Sequence, residues 1–360
     1  MATVNLLNNL HIDNLTYEND HLGLIKKGNI ISSFLKENKN QFGEIKMFAL
    51  YGEWGSGKST LMKYIEKKMG SDFNTCFFEA WKYEKDSNLI LSLFEEINTK
   101  NEKGKFFTKG RKFLVKFFTG LAKALKFELS SPEIKIGDFI KTGGAKIEFD
   151  SEKIVENILN SDLSFREALK EFQEDFIEME NELLKVSKKK FNIVLIDDLD
   201  RCEPNQILNL LSAVKLFFTY GKKTVFFCGI DKKAVEEAVR TKYGEVVKSN
   251  EYLEKIFDIS FTMPINNNIL PLITNCFGEK KYDFGEIYKN KEDKKKLQVD
   301  YRINDFLSSL NFTNPRKVKK VLNKYMIFVS ILVQSNSKLN IHYKDKKETA
   351  GYFKLFSFYI

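Results

Sequence analysis

The segment Gly52-Glu53-Trp54-Gly55-Ser56-Gly57-Lys58-Ser59 constrains this chain more than any other, because GxxxxGK[ST] makes physical sense only between a strand and a helix. Both flanks comply. Met47 to Tyr51 is a short apolar run ended by glycine, and Ser59 to Lys68 has helical character, so the order is strand, loop, helix. Glycines let the backbone wrap closely around phosphates. Successive N–H groups then point inward, and the N-terminus of the helix adds partial positive charge. Gly52, Glu53, Trp54, Gly55, Ser56, Gly57, Lys58, Ser59 and Thr60 form the expected cradle, with Lys58 reaching the β and γ phosphates and the Ser59 hydroxyl ligating Mg²⁺.

Phe191 to Arg201, FNIVLIDDLDR, is the second constellation: an apolar strand that delivers two adjacent carboxylates at its end. Successive side chains on a strand point to opposite faces, so the two acids cannot share one task. Asp197 is expected in the Mg²⁺ shell, and Asp198 in the general-base position that orients or deprotonates an attacking water. Asp200 belongs to the following turn. Helix capping or a surface turn is the alternative for paired aspartates, and it loses ground downstream of a P-loop and after four apolar strand residues.

Four further apolar runs read as strands: Thr75 to Ala80, Phe191 to Ile196, Thr224 to Ile230 and Phe257 to Met263. Continuous apolarity suits strands covered on both faces of a parallel sheet. Helical stretches lie between the last three, Pro204 to Thr219 and Asp231 to Arg240, so the fold class is α/β. About 110 residues separate the second and third strands, far more than a crossover needs, which marks an insertion over 100–187. Its first part, Lys103 to Lys126, has eight basic residues and no acidic one. On a helix, Phe113, Leu114, Phe117, Phe118, Leu121 and Leu125 share one side against Lys112, Lys116, Lys123 and Lys126. Such a helix can lie on an anionic membrane or cover a partner; packing on its own domain with solvated lysines is the alternative. Ile154 to Val186 reads as helix leading back to the sheet. The expected division is a P-loop core over 1–263 and a helical lid with a basic tail over 264–360.

Composition narrows the class further. Hydrophobic residues make up 43% and charged residues 30% of 360, a globular balance that excludes disorder and collagen-like repeats. The charge of +9 is local: residues 1–290 hold 43 of each sign, whereas 291–360 hold 15 basic and 6 acidic. That end suits nucleic acid, an anionic membrane or an acidic protein, and equally a solvated lysine surface. Cys76, Cys202, Cys228 and Cys276 are far apart with no CxxC pair, which argues against a disulfide framework or thiolate zinc and fits a reducing cytosol. No secretory signal and no run of 18 mostly apolar residues is visible, so a cytoplasmic protein is expected, or one peripheral at the inner membrane face.

At these residues the sequence resembles the KAP family of P-loop NTPases, in the additional-strand class related to AAA+ and STAND proteins. The resemblance rests on GEWGSGKST, on Phe78-Glu79-Ala80-Trp81-Lys82-Tyr83 and on IDDLDRCEP. It continues through Phe227-Cys228-Gly229-Ile230-Asp231, Tyr252-Leu253-Glu254-Lys255-Ile256 and Asn314-Pro315-Arg316-Lys317. It implies an ATPase core with sheet order 5-1-4-3-2, ATP and Mg²⁺ as cofactors, and a helical segment after the core. Many members carry a transmembrane hairpin between the two nucleotide motifs; the basic amphipathic segment stands there instead. Relatives of this type use nucleotide cycles for assembly or signalling, which implies a protein partner or effector, a homo-oligomer, and a role in bacterial antiphage defence or another stress response.

Only six of the 58 basic residues are arginine, and Arg201 and Arg316 fall inside matched motifs. A planar, permanent charge suits a transferring phosphoryl, with Arg316 as a sensor from the lid or Arg201 as a finger into a neighbouring subunit; a structural ion pair is the alternative for each. Asp231 is either a sensor for the nucleophilic water or a helix cap. Asn290-Lys291-Glu292-Asp293 matches NKxD but follows no strand, and we read it as coincidence. His11, His21 and His342 are too dispersed for zinc. Trp81 and Tyr83 either stack on a base or fill space beneath the sheet. The tail interleaves Tyr343, Tyr352 and Phe353 with Lys344, Lys346, Lys347 and Lys354, compatible with nucleic acid. Three functions follow: an ATPase coupling nucleotide state to lid position and partner control, a nucleotide-gated binding module with little turnover that docks on anionic membrane or nucleic acid, or a motor on nucleic acid.

Overall fold

The computed structural model describes residues 6–86, 89–99, 165–244, 248–264, 269–277, 299–312 and 314–336. The basic segment Lys103 to Lys126, the tetrapeptide 290–293, His342 and the aromatic-basic tail lie outside the described residues. The described residues form two compact units, one within 28–52 and 61–262, the other within 1–27, 53–60 and 263–360.

The first unit is built on five strands: β1 (Met47–Tyr51), β2 (Phe73–Glu79), β3 (Phe191–Asp197), β4 (Thr224–Ile230) and β5 (Ile259–Thr262). All pair in parallel in the order β2-β3-β4-β1-β5, which is the expected 5-1-4-3-2 read from the other edge. Every residue of β4 is buried, as the continuous apolar run demands for a central strand with helices on both faces. The first strand matches its expected span, whereas β2 begins two residues earlier and β5 is shorter than the run Phe257 to Met263. Phe257 instead closes a helix, its N–H donating to Leu253 O at 3.0 Å, so apolarity there marks packing and not ladder pairing.

Period-two alternation divides the sheet between two layers. Met47, Ala49, Phe78, Val194, Ile196, Phe226 and Cys228 face one core. Against them pack α3 (Leu89–Thr99), α4 (Phe165–Ser187), α5 (Pro204–Phe217), α6 (Lys232–Tyr243) and α7 (Ser249–Ile256). Ile207, Leu210, Leu211 and Val214 of α5 are buried as their spacing predicts. The opposite face holds an aromatic cluster in which Phe42 meets Phe48, Phe73 and Phe191 at centroid distances of 6.0, 6.0 and 5.8 Å.

Helix α1 (Leu24–Glu37) was not anticipated, because Gly28 interrupts its apolar pattern. A methyl at Gly28 would stand 2.5 Å from the Tyr64 ring, so glycine is what lets α1 approach α2 (Lys58–Met69) closely, with Tyr64 donating to Asn29 Oδ1 at 2.8 Å.

Just before β1, the Lys46 ammonium donates to the carbonyls of Thr219 and Gly221. Burial pushes Lys46 below the ordinary lysine value, against the opposing pull of Glu180 and Asp258. Glu180, itself buried, accepts from the N–H groups of Lys222 and Lys223 at 3.0 and 2.7 Å. These bonds fasten α4 to the approach of β4.

In the second unit, α8 (Leu270–Phe277), α9 (Val299–Ser309) and α10 (Pro315–Asn336) bury Leu272, Ile273, Leu307, Val318, Val321 and Leu322 together. The N-terminal segment is tied along α10. Asn323 accepts from Leu7 N at 2.7 Å and donates to Leu7 O at 2.9 Å, and Lys319 donates to Asn8 O at 3.0 Å. No helix among the described residues is long and apolar enough to cross a membrane.

Candidate nucleotide site

The chain leaves β1 at Tyr51, and Gly52 keeps one tie to the neighbouring strand, its N–H donating to Ile230 O at 3.2 Å. Beyond it the loop turns on two glycines, Gly55 at φ +82° and Gly57 at φ +98°, a region that side chains with a Cβ rarely enter. Ser56 sits between them with its N–H on Glu53 O at 3.1 Å. Its hydroxyl oxygen is buried and has no hydrogen-bond partner among the described residues. Lys58, the first residue of α2, is only 7% exposed and curls back so that Nζ donates to Glu53 O at 3.3 Å. Thr60 Oγ1 accepts from Ile12 N at 3.0 Å, which ties the N-terminal segment to this turn.

The loop is clasped by the Asn-Pro-Arg-Lys motif. Asn314 caps α10, accepting from Arg316 N at 3.1 Å and Lys317 N at 3.3 Å, while its amide donates to Trp54 O at 3.0 Å. Pro315 occupies the first helical position, where its missing N–H costs nothing. Arg316 then lies against the loop. Its Cβ would stand 2.5 Å from a methyl on Gly55, and its guanidinium covers the Trp54 indole at 4.6 Å from the ring centroid. It also donates to Asn9 O at 3.4 Å. The sequence flagged Arg316 for its charge; that Asn314 is the residue holding the loop was legible only as a motif of unknown purpose.

In the sheet-bearing unit, β3 places Asp197 at its C-terminal end, 1% exposed and in register with Glu79 of β2. The register puts both acids on one face. Glu79 is neutralised by Lys63 at 3.8 Å and by Lys82. The room beside Asp197 comes from Gly229 of β4, where a methyl would stand 3.1 Å from Asp197 Oδ1 and 2.2 Å from Met62 Sδ. In the sequence Gly229 stands only as part of the Phe227 to Asp231 motif, although a glycine inside an apolar strand signals close approach.

Asp198 adopts the left-handed region, φ 56° and ψ 21°, and opens the 3-10 turn Leu199–Arg201. Its carboxylate is paired with Arg201 at 2.7 Å, and the Arg201 guanidinium lies 5.2 Å from the Trp81 ring centroid. Trp81 is half exposed, so it does not fill space beneath the sheet, whereas Tyr83 stacks on Phe78 at 5.0 Å and donates to Glu96 at 2.9 Å. Burial, then the bond to Glu96, pushes the Tyr83 phenol up to about 12. Burial likewise pushes the Cys202 thiol up to about 12, helped by Glu84, Asp200 and Asp198 and opposed by Arg201. Asp231 caps α6, accepting from Lys233 N at 3.1 Å, the capping arrangement weighed for it. His11 pairs with Asp13 at 3.0 Å, and among the described residues no group of three His, Cys, Asp or Glu side chains converges.

These residues suit a nucleotide and its cation on chemical grounds. Two left-handed glycines, a buried serine hydroxyl and a helix N-terminus are the kinds of group that bind phosphate oxygens. A hydroxyl such as that of Ser59 and a carboxylate such as that of Asp197 are each hard oxygen donors of the type Mg²⁺ takes, an ion that commonly uses one or two protein groups plus phosphates and water.

A family model described as the KAP family P-loop domain matches residues 29–332. An uncharacterized protein of Methanocaldococcus jannaschii is 35% identical over 171 residues, which cover 42% of this chain and 87% of that protein. A second uncharacterized protein of the same organism is 39% identical over 88 residues, 24% of this chain and 28% of that protein. Among solved structures, the Aeropyrum pernix ORC2 protein in its ADP form superposes with a TM-score of 0.41 at 10% identity over 91% of this chain and 67% of that one.

Proposed function

Since this chain belongs to the KAP family of P-loop NTPases, and so carries a nucleotide-binding P-loop domain, we propose that it binds ATP with Mg²⁺ and hydrolyses it. The loop Gly52 to Thr60 holds the phosphates, with Lys58 countering the charge of the β and γ groups. Ser59 and Asp197 hold the Mg²⁺, which when bound neutralises charge on the transferring phosphoryl. Asp198 takes the proton of the attacking water. One observation carries the reading: a buried Ser56 hydroxyl without a partner among the described residues, flanked by two glycines in the left-handed region. A buried polar atom left so costs about 1–3 kcal/mol, a cost that a bound phosphate oxygen removes.

The clasp of Asn314 and Arg316 on Trp54 and Gly55 gives nucleotide a route to α10, because a loop that shifts on binding phosphate carries its bonded helix end with it. In this reading nucleotide state controls a protein partner through α10. The setting we propose is phage restriction by a separate effector, checked by plaque counts with and without Lys58→Ala.

The biochemical test is direct. Lys58→Ala should lose ATP binding by calorimetry, while Asp198→Asn should keep ATP and stop phosphate release. Normal ATP binding by Lys58→Ala overturns the cradle assignment. ATP·Mg²⁺ binding by the wild type with no turnover that Asp198→Asn abolishes leaves a nucleotide-gated binding module and overturns the enzyme.

A further inference from the structure

The pairing of Asp198 with Arg201 has a third member, and the three together define a task for Trp81. Asp198 stands in the left-handed region at the mouth of β3, a conformation that fixes its backbone but leaves a short side chain to choose among rotamers. Arg201 removes that choice. Its terminal nitrogen lies 2.7 Å from Asp198 Oδ1, and its own N–H donates to Asp198 O at 3.2 Å, so one turn of chain closes on itself. A carboxylate has two acceptor oxygens, and one can be held while the other takes a proton from water.

Arg201 is in turn held from the other side. Its guanidinium lies over the Trp81 indole at 5.2 Å, and its Nε is buried with no hydrogen-bond partner among the described residues. An indole face within cation–π reach holds a guanidinium while its terminal nitrogens stay free for the carboxylate; an ammonium could make the ion pair but has no second nitrogen to spare for the ring. Trp81 is itself fixed by the four-residue 3-10 turn Ala80–Tyr83 that follows β2, with Ala80 buried beneath it. β2 and β3 pair along their whole length, through Glu79 and Asp197, so the turns that follow them emerge side by side.

We propose that Arg201 is a positioning residue for Asp198 of its own chain, and that Trp81 is the residue that keeps Arg201 in place for it. The proposal rests on Asp198 being the base of the hydrolytic reading. It assigns Arg201 in cis: a guanidinium committed to a carboxylate and an indole of its own chain would have to leave both to reach a neighbour's phosphates. It also gives the Phe78 to Tyr83 motif a function, as the carrier of the indole.

The test uses the full-length protein with ATP·Mg²⁺. Trp81→Ala should lower kcat about two- to five-fold with KM unchanged, the fold-change that loss of an exposed cation–π contact produces. Trp81→Phe should recover most of it. Arg201→Ala should lower kcat further, by about 5- to 100-fold, as expected when a reacting group is misplaced by an ångström or less, and Arg201→Lys should fall between. In an Asp198→Asn background none of these changes should matter. A rise in kcat with Arg201→Ala, a shift confined to KM, or Trp81→Phe no better than Trp81→Ala overturns the positioning role while the ATPase stands. A wild type that binds ATP·Mg²⁺ without turnover overturns the hydrolytic reading and this role with it.

A second measurement is independent of hydrolysis. Trp54 and Trp81 are the two tryptophans of the chain, so Trp54→Phe leaves Trp81 as the sole indole. Arg201→Ala and Asp198→Asn should each raise acrylamide quenching of Trp81 as the covered face opens. Unchanged quenching in both refutes the stack.

Discussion

Replacing Gly229 by alanine tests the room around Asp197. Gly229 pairs with Leu50 in the middle of the sheet, and a methyl there would stand 2.2 Å from Met62 Sδ, 3.3 Å from Met62 Cε and 3.1 Å from Asp197 Oδ1. Met62 is fully buried in α2 and cannot swing into water; it must displace neighbours already packed at crystal-like density. Overpacking of this kind costs about 1–3 kcal/mol. For a domain of this size each kcal/mol lowers the melting midpoint by about 2–4 °C, so the midpoint should fall by about 2–12 °C. The second contact bears on the proposed role of Asp197, since its oxygen must also give way by a few tenths of an ångström. On that proposal, the shift weakens the cation more than the nucleotide. Thermal melts with ATP in EDTA should therefore protect the variant as they do the wild type, whereas the extra protection from Mg²⁺ should shrink. Met62→Ala separates the two effects: alone it costs about 2–5 kcal/mol. Combined with Gly229→Ala it should cost less, with a favourable coupling of about 0.5–3 kcal/mol. Stability should partly return while the Mg²⁺ increment does not. A variant that melts with the wild type and keeps its full Mg²⁺ increment refutes the packing argument.

Asn314→Ala removes a helix cap and the bond to Trp54 O together, so it should lower stability by about 0.5–2 kcal/mol in urea titrations and weaken ATP in the same protein. Glu180→Ala strips a buried carboxylate from two N–H groups and from the neighbourhood of the buried Lys46; a loss of about 3–5 kcal/mol is expected, with ATP affinity unchanged in whatever fraction remains folded. Burial pushes the Cys228 thiol up to about 12 from an ordinary 9.0, and Cys202 likewise. Because the folded values are raised, the stability these thiols contribute is present below pH 9 and lost as pH climbs toward 12. Urea midpoints should decline over that window, and both thiols should react with a disulfide reagent only on unfolding.

Much of the molecule was legible as a sequence because the physics there is local. An anion cradle needs glycine at left-handed positions, a lysine and a hydroxyl at a helix start, and a strand before them; Gly55, Gly57, Lys58 and Ser59 declare this within eight residues. Apolar runs free of alternation announced the buried parallel strands, and β1 and β4 match their expected spans to the residue. The same local logic missed α1, since Gly28 breaks a helical pattern for a reason that lies across space, in the ring of Tyr64.

What only the tertiary structure decided concerns partners distant in the chain. Asp198 and Arg201 are near neighbours, yet the third partner, Trp81, is brought to them by the pairing of β2 with β3 across the long insertion. Asn314 finds Trp54 across 260 positions, and Gly229 yields its space to Asp197 from the adjoining strand. Sequence specifies the chemistry each side chain can perform. Which groups meet is fixed by strand order and helix packing, where burial and shape, summed over many weak contacts, select one arrangement.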